Sequence, residues 1–149
     1  MSERRSWRWR NIPVPEAQVA GLGLGLVVHA VWPRRFGGPA AVRSAGLVLL
    51  ATGMAIVAWA TASAGSSELE QPDRLIVHGP YAHSRNPMYV GCTLVYVGAA
   101  VLWDTAWPLI VLPGVAAAVH REVRQEEVVL ARRFGAMFEA YAARVRRYL

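Results

Sequence analysis

Four long stretches without aspartate, glutamate, lysine or arginine dominate the pattern of apolar and polar positions along the chain. They cover residues 17–33, 44–67, 86–103 and 105–120. A helix needs roughly 17–25 apolar residues to cross a bilayer core, and each stretch is near that length. The pattern predicts an all-α integral membrane protein with four transmembrane helices, of which the last is short and kinked by its prolines.

The polar links between these stretches suggest how the helices are arranged. Asp104 alone separates the third span from the fourth, so we expect these two helices to form an antiparallel hairpin. Gly21, Gly23 and Gly25 give the first span small residues, which permit a close helix contact. We predict two anchor spans over residues 16–64, followed by a cofactor loop, the hairpin and a catalytic tail over residues 65–149, all within one domain.

The C-terminal tail, residues 120–149, has apolar residues at intervals of three or four, which indicates helix. Gly135 interrupts this spacing, so two helices with a bend are predicted. The tail's apolar positions are Val123, Leu130, Phe134, Met137, Phe138, Tyr141, Val145 and Tyr148. Its arginines are expected to face headgroups or water, namely Arg132, Arg133, Arg144, Arg146 and Arg147.

Composition supports a membrane location. Hydrophobic residues make up 54% of the chain, which is too apolar for a soluble protein of 149 residues. The net charge of +6 comes from arginines that lie mainly at the two ends, where they would attract an anionic inner leaflet. This predicts both termini on the cytoplasmic side of a bacterial-type cytoplasmic membrane, with residues 1–15 at its interface. Nucleic acid is the weaker explanation for the charge.

The chain has a single cysteine, Cys92, in the third predicted span. One cysteine cannot form an intrachain disulfide, and it excludes a metal site built from several cysteines. No metal site is predicted. A small apolar packing role is the default for a cysteine in such a position.

The sequence His78-Gly-Pro-Tyr-Ala-His-Ser-Arg-Asn-Pro forms a polar turn between apolar segments. Gly79 tolerates positive φ and Pro80 presets φ, so no helix runs through them. Asn86 followed by Pro87 is typical of a helix start, because asparagine caps free N–H groups and proline has none to satisfy. We therefore predict that the third span begins at Pro87 with Asn86 as its cap.

The surroundings of this helix start suggest a ligand site. Free N–H groups at a helix N-terminus, with Arg85 ahead and Tyr81 and Tyr89 on either side, suit a ligand with an anionic end and an aromatic or ribose body. The alternative is a connector between two membrane helices with an aromatic belt.

A group of glutamates begins the tail. Glu122 and Glu126 are one helical repeat apart and repel each other when both are ionised, so a nearby cation would be favourable. Glu127 follows directly, and Arg121 and Arg124 lie between them. We expect these arginines to pair with Glu122 and leave Glu126 free, although a solvated, charged helix end is the alternative.

The C-terminal half of the chain resembles a known enzyme family. The segments Gly79-Pro80-Tyr81 and Ser84-Arg85-Asn86-Pro87-Met88-Tyr89-Val90-Gly91 are followed by Glu126-Glu127, Leu130, Phe134-Gly135, Tyr141 and Val145-Arg146-Arg147. In order and spacing they resemble the isoprenylcysteine carboxyl methyltransferase family and its bacterial phospholipid-methyltransferase-like relatives. The resemblance implies a small membrane methyltransferase without a Rossmann domain, which binds S-adenosylmethionine (SAM) in a cytoplasmic pocket.

The resemblance also implies roles for individual residues. Cofactor-binding positions are carried over onto Arg74, Leu75, Ile76, Tyr81, Asn86, Pro87, Met88, Tyr89 and Glu126. A carboxylate at Glu126 suits the α-ammonium of SAM. Glu127 is the candidate general base. The family's substrate-carboxylate arginine has no equivalent in register, because Glu122 takes its place, and Arg121 is one residue away. Asn86 replaces the histidine of the eukaryotic prenylcysteine enzymes, and Phe138 stands where a tyrosine is usual in the tail.

These observations predict SAM-dependent methyl transfer to a lipophilic, membrane-partitioned acceptor. The acceptor is expected to be the carboxyl of a prenylcysteine-like molecule or another small lipid-like substrate, with membrane lipids as further partners. A phospholipid amine methyltransferase is the first alternative, and a non-catalytic membrane scaffold or an NADPH-binding relative is the second. Paired glutamates suit a cationic cofactor better than a 2′-phosphate. The oligomeric state is not predicted.

Overall fold

The structure, a computed structural model, describes residues 15–64 and 74–149. Over these residues it contains five α-helices and one 3₁₀ turn, which confirms the all-α prediction for this part of the chain. The elements are Glu16–Val31 (α1), Ala40–Ala64 (α2), the 3₁₀ turn Gly79–Ala82, Pro87–Leu102 (α3), Trp107–Phe134 (α4) and Ala136–Arg144 (α5). The predicted interfacial segment lies outside the described residues, apart from Pro15.

The fourth predicted span and the first part of the C-terminal tail are one helix. α4 passes through Pro113 and His120 and ends at Phe134, because no glycine or proline follows Gly114 until Gly135. Gly135 has φ of 51°, in the left-handed region that glycine adopts at little cost. α5 begins directly after it, so the predicted bend in the tail is confirmed.

α2 and α3 pack closely along an antiparallel pair of small-residue faces. A Cβ placed on Gly98 would lie 2.5 Å from the backbone nitrogen of Leu50, and one on Gly46 would lie 2.8 Å from that of Leu102. Gly53 and Gly91 approach each other in the same way. Side chains at these positions would force the helices apart, so their absence sets the interhelical distance.

α1 packs on α4, and two of the three predicted glycine contacts are found. A Cβ on Gly21 would overlap Val115, and one on Gly25 would lie 2.7 Å from Pro108. Nothing lies within 4 Å of a Cβ on Gly23, so the predicted close contact there is wrong. Residues four apart share a helix face, whereas the residue midway between them points to another side.

The α1–α2 link is tied to the turn between α3 and α4. The Oδ1 atom of Asp104 accepts hydrogen bonds from the backbone nitrogens of Phe36 at 2.9 Å and Gly37 at 3.1 Å. Trp107 Nε1 donates to the Trp32 carbonyl at 2.6 Å. These bonds hold together one end of the helical bundle, opposite the end that carries the 3₁₀ turn and α5.

The membrane character of the helices is uneven. In the part of the chain that is described, only α2 is long and apolar enough to cross a membrane, with a mean hydropathy of 1.9 over a stretch that is 17% buried. α1 and α3 are apolar but have 16 residues each. Large apolar side chains are exposed on α1, α2 and α4, among them Val19, Leu24, Val27, Leu47, Val48, Met54, Trp59 and Ile110. Such a surface requires a lipid or protein neighbour.

Candidate functional site

The turn before α3, residues 78–86, is hereafter the Gly-Pro turn. Gly79 has φ of 62°, and its Cα faces the hydroxyl of Ser63 near the end of α2, so no side chain fits there. Pro80 is buried. Tyr141 on α5 donates a hydrogen bond from Oη to the Tyr81 carbonyl at 2.7 Å. The turn is thus held between the end of α2 and the last helix.

Residues 145–149, hereafter the terminal segment, run beside the Gly-Pro turn. The backbone nitrogen of Arg85 donates to the Arg146 carbonyl at 2.9 Å. The Asn86 side chain donates from Nδ2 to the Arg147 carbonyl at 3.0 Å, and the Ser84 hydroxyl contacts the same carbonyl at 3.4 Å. The chain end therefore contributes directly to the region in front of α3.

The helix start is confirmed at Pro87, but the predicted role of Asn86 as a capping side chain is wrong. Asn86 occupies the cap position without a side-chain capping hydrogen bond. The side chain is buried, and its amide hydrogen is used by the Arg147 carbonyl instead. A buried side-chain amide without an acceptor is costly, so this tertiary contact outweighs the local cap.

Glu127 joins two arginines from different parts of the chain. Arg147 binds it through Nη2 at 2.8 Å and through Nε at 3.0 Å and 3.1 Å, and Arg85 Nη2 lies 3.4 Å from Oε1. The side chains of Glu127 and Arg85 are only 12% and 14% exposed. The hydrogen bonds to Glu127 raise the pKa of the Arg147 guanidinium. Arg147 was predicted to face headgroups or water, but its guanidinium binds Glu127 instead.

Glu126 has a different environment from its neighbour. It accepts a hydrogen bond from Tyr89 Oη at 2.8 Å. Glu126 is exposed as a whole residue, but partial burial of its carboxyl raises the pKa of that group; the Tyr89 hydrogen bond lowers this pKa, and the charge of Glu122 raises it. Burial and the nearby Glu126 charge raise the pKa of Tyr81 to about 12. Both predicted cofactor tyrosines thus lie within the electrostatic influence of Glu126.

The arginines near the glutamates are not used as expected. Neither Arg121 nor Arg124 forms an ion pair with Glu122 among the residues that the structure describes. Both are exposed. Within the same residues Glu126 has no cationic partner, and its carboxylate is turned towards Tyr89, as expected.

The remaining predicted site residues are less closely connected. Ile76 is buried, Leu75 is partly buried and Arg74 is exposed, in a segment without regular secondary structure. Across the described ranges, Arg74 has no side-chain hydrogen bond or ion pair. Pro87 and Met88 form part of the first turn of α3, and both are buried. This segment therefore lies near the Gly-Pro turn in sequence without a polar contact that fixes it to the glutamates.

Sequence reasoning missed several residues that join the chain end to the Gly-Pro turn and to Glu127. Tyr141 was placed in the apolar stripe of the tail, yet its hydroxyl fixes the Gly-Pro turn. Arg147 was one of several exposed arginines, and Ser84 had no role. The buried Glu127 carboxylate and the buried Arg85 guanidinium come together only because of how α4 and α5 fold back. Local spacing in the sequence does not indicate this.

Comparison with known proteins yields one match. A family model described as phospholipid methyltransferase matches residues 42–137, more than half of the chain. The matched region contains the Gly-Pro turn, α3 and both Glu126 and Glu127, and it ends before Arg147. No curated protein and no solved structure matches the chain.

Proposed function

Because the chain belongs to the phospholipid methyltransferase family, we propose that it transfers a methyl group from SAM to a lipophilic acceptor that partitions into the membrane. The family match supports methyl transfer to a lipid-like substrate. The use of SAM and the position of its site are our proposals, and they rest on the contacts around Glu126.

The observation that carries the proposal is the contrast between the two adjacent glutamates. Arg85 and Arg147 both contact Glu127, and neither forms an ion pair with Glu126. Glu126 is oriented by Tyr89, and its raised pKa means that its environment disfavours an uncompensated negative charge. A bound ammonium group would compensate that charge. SAM carries such a group on its amino acid part, and this fits the residues present.

When bound, SAM would supply a methyl carbon on a sulfonium, which moves to the acceptor as the sulfur keeps the electron pair of the broken bond. The protein has to align the two partners and keep water out. We propose that Glu126 holds the ammonium and that Tyr89 orients the carboxylate. Tyr81 and Ile76 would lie against the adenosine. The Glu127 ion pairs would keep the terminal segment closed over the Gly-Pro turn.

A general base is needed if the methyl group is transferred to an amine or a hydroxyl. Transfer to a carboxylate hardly needs one. The predicted base, Glu127, has both oxygens engaged by Arg147. To accept a proton, Glu127 would have to give up one of these hydrogen bonds. The base role stays a prediction, and we propose a positioning role for Glu127 beside it. The family description favours a phospholipid amine as the second candidate acceptor, beside a carboxyl group.

Calorimetric titration of detergent-solubilised protein with S-adenosylhomocysteine (SAH) tests the site. Charge-assisted hydrogen bonds contribute about 1.5–3 kcal/mol, so Glu126→Gln should weaken SAH and SAM binding by roughly ten- to hundredfold. Glutamine can still accept the Tyr89 hydrogen bond. Glu139→Gln, on the exposed face of α5, is the matched control and should bind normally.

Three results would contradict the proposal. Unchanged SAH affinity in a folded Glu126→Gln protein would return Glu126 to a surface role. Tighter binding of NADPH than of SAH to the unmodified protein would favour an NADPH-binding relative. Binding of neither ligand would favour a non-catalytic scaffold.

A further inference from the structure

Gln18 is a buried polar residue on the apolar helix α1. Only 4% of it is exposed, whereas the next residue along the helix, Val19, is 58% exposed. An amide in an apolar interior is costly unless it is hydrogen-bonded. The phospholipid methyltransferase model begins at residue 42, so the family match assigns no role to Gln18. A role for this residue has to follow from its contacts.

The Gln18 amide donates hydrogen bonds to the beginning of α3. Its Nε2 atom lies 2.9 Å from Thr93 Oγ1 and 3.3 Å from the Tyr89 carbonyl oxygen. The Thr93 hydroxyl donates its own hydrogen to the same carbonyl at 2.8 Å. Both groups that face Nε2 are therefore acceptors, and only the nitrogen side of the amide can serve them. Tyr89 and Thr93 thus fix the orientation of the Gln18 side chain.

The oxygen side of the same amide has no partner. Gln18 Oε1 is buried, and no hydrogen-bond donor reaches it from the described ranges, 15–64 and 74–149. A buried carbonyl oxygen without a donor is unfavourable. A methionine has a similar size and would fill the space without this cost. Stability alone therefore does not account for an amide at this position.

The Tyr89 carbonyl belongs to the turn of α3 from which the Tyr89 ring reaches α4. This turn follows Pro87 and has no side-chain cap. The Tyr89 ring packs against the core of the helical bundle, and its Oη donates to Glu126 at 2.8 Å. A hydrogen bond depends on distance and angle, so a small shift of the turn would weaken this one. Gln18 and Thr93 hold the turn at the Tyr89 carbonyl.

α1 is in turn fixed on α4, the helix that carries Glu126. Gly21 packs on Val115 and Gly25 packs on Pro108, with no room for a side chain at either glycine. Glu126 is therefore part of the same packed pair of helices from which Gln18 reaches α3. Both ends of the Tyr89–Glu126 hydrogen bond are held by this pair.

We propose that Gln18 is a positioning residue of the cofactor site, which holds the first turn of α3 so that the Tyr89 hydroxyl stays on the Glu126 carboxylate. The effect on cofactor binding rests on the proposed function, whereas the positioning itself concerns only these three residues. α1 was predicted as an anchor span. Through Gln18 it also acts on the cofactor site without touching the cofactor.

Titration of the Glu126 carboxyl measures the positioning without a ligand. The Tyr89 hydrogen bond lowers the pKa of this carboxyl, so Tyr89→Phe should raise that pKa. Gln18→Met should change the pKa in the same direction. Val19→Met places the same side chain on the exposed face of α1 and should leave the pKa unchanged. NMR of glutamate-labelled protein in phosphatidylcholine nanodiscs follows the titration, with Glu126→Gln to assign the signal.

A double-mutant cycle tests whether Gln18 acts through Tyr89. In a Tyr89→Phe background, Gln18→Met should have no further effect on the Glu126 titration, because the hydroxyl that it positions is gone. Additive effects would overturn the inference. Thr93→Val removes the hydroxyl that contacts both Gln18 and the Tyr89 carbonyl, and it should reproduce part of the change. If Gln18→Met does not fold, Thr93→Val decides. Glu122 and Tyr81, which also interact electrostatically with Glu126, are the same in all variants.

SAH titration of the same proteins measures the consequence for the cofactor. Gln18→Met should bind SAH about three- to tenfold more weakly than Val19→Met, with a similar midpoint of chemical unfolding. An unchanged Glu126 titration, or an SAH affinity equal to that of Val19→Met, would leave Gln18 as a packing residue and overturn the inference. If Gln18→Met changes the Glu126 titration but the unmodified protein binds no SAH, the positioning stands and the methyltransferase proposal fails.

Discussion

Glu126 and Glu127 are adjacent in sequence, but tertiary contacts separate their chemistry. Glu127 bridges the Gly-Pro turn and the terminal segment through Arg85 and Arg147. Glu126 contacts the first turn of α3 through Tyr89. One carboxylate is therefore neutralised by the protein, and the other is available to a cationic ligand. Consecutive helical residues point about 100° apart, which lets one pair of identical residues serve two partners.

The raised pKa of Glu126 predicts a pH dependence of cofactor binding. Ionised Glu126 binds the ammonium, so SAH affinity should be full above the raised pKa and should fall as pH decreases through it, starting above the ordinary glutamate range. In that window, binding should release protons. Without ligand, the folded state binds more protons there than the unfolded state, so stability contributed by this group decreases as pH rises.

Calorimetry at a series of pH values, in buffers of different ionisation enthalpy, measures both effects. Glu126→Gln should lack the proton release and the affinity change in this window. The same pH profile in both proteins would assign the titration to another group.

Glu127→Gln tests whether this residue holds the terminal segment. The change removes the charge that Arg85 and Arg147 share, and breaking a buried ion pair typically costs about 3–5 kcal/mol. Arg147 is 35% exposed, so solvent screening should reduce the loss to below that range. Chemical unfolding should show a lower midpoint than for Glu139→Gln. Unchanged stability with lost turnover would instead support the predicted base role.

At the scale of elements, α3 is joined to the chain end through its first residues. Asn86→Asp distinguishes the observed contact from a cap, because aspartate caps helices as well as asparagine does but cannot donate to the Arg147 carbonyl. We expect Asn86→Asp to lose about 1–3 kcal/mol of stability, similar to Asn86→Leu. Hydrogen exchange of the Arg85 amide, which is bonded to Arg146, should increase in both variants. Wild-type exchange and stability in Asn86→Asp would restore the capping role.

The whole molecule has two distinct ends. One carries the Gly-Pro turn, α5 and the terminal segment, which are joined by direct hydrogen bonds. The other carries the α1–α2 link and the turn between α3 and α4, joined through Asp104 and Trp107. If the helices α1 to α4 all cross the membrane, as we propose, these ends face opposite compartments.

Cysteine labelling tests that topology. In a Cys92→Ala background, Ala140→Cys on α5 should react with a membrane-impermeant maleimide from the cytoplasmic side only. Gly38→Cys in the α1–α2 link should react only from the opposite side. Ala140 is exposed and Gly38 is partly exposed, so access depends on the side of the membrane. Labelling of both from one side would exclude four spans.

The sequence by itself determined the helical class, the breaks at the Gly-Pro turn and Gly135, and the start of α3 at Pro87. These features follow from local physics: apolar runs without charge, the φ angles open to glycine, and the missing N–H of proline. The pattern also singled out both glutamates. It did not distinguish their roles, since spacing along α4 says nothing about which groups approach from α3 or from the chain end.

Only the tertiary structure decided the partners of the polar groups. The local sequence suits Asn86 for capping α3. Its side chain is buried beside the Arg147 carbonyl, however, and the hydrogen bond to that carbonyl is more favourable than the cap. Arg147 carries the same charge as Arg146, yet of these two only Arg147 binds Glu127. The cost of burying a polar group without a partner depends on what lies nearby in space, and that is known only once α5 has folded back against the Gly-Pro turn.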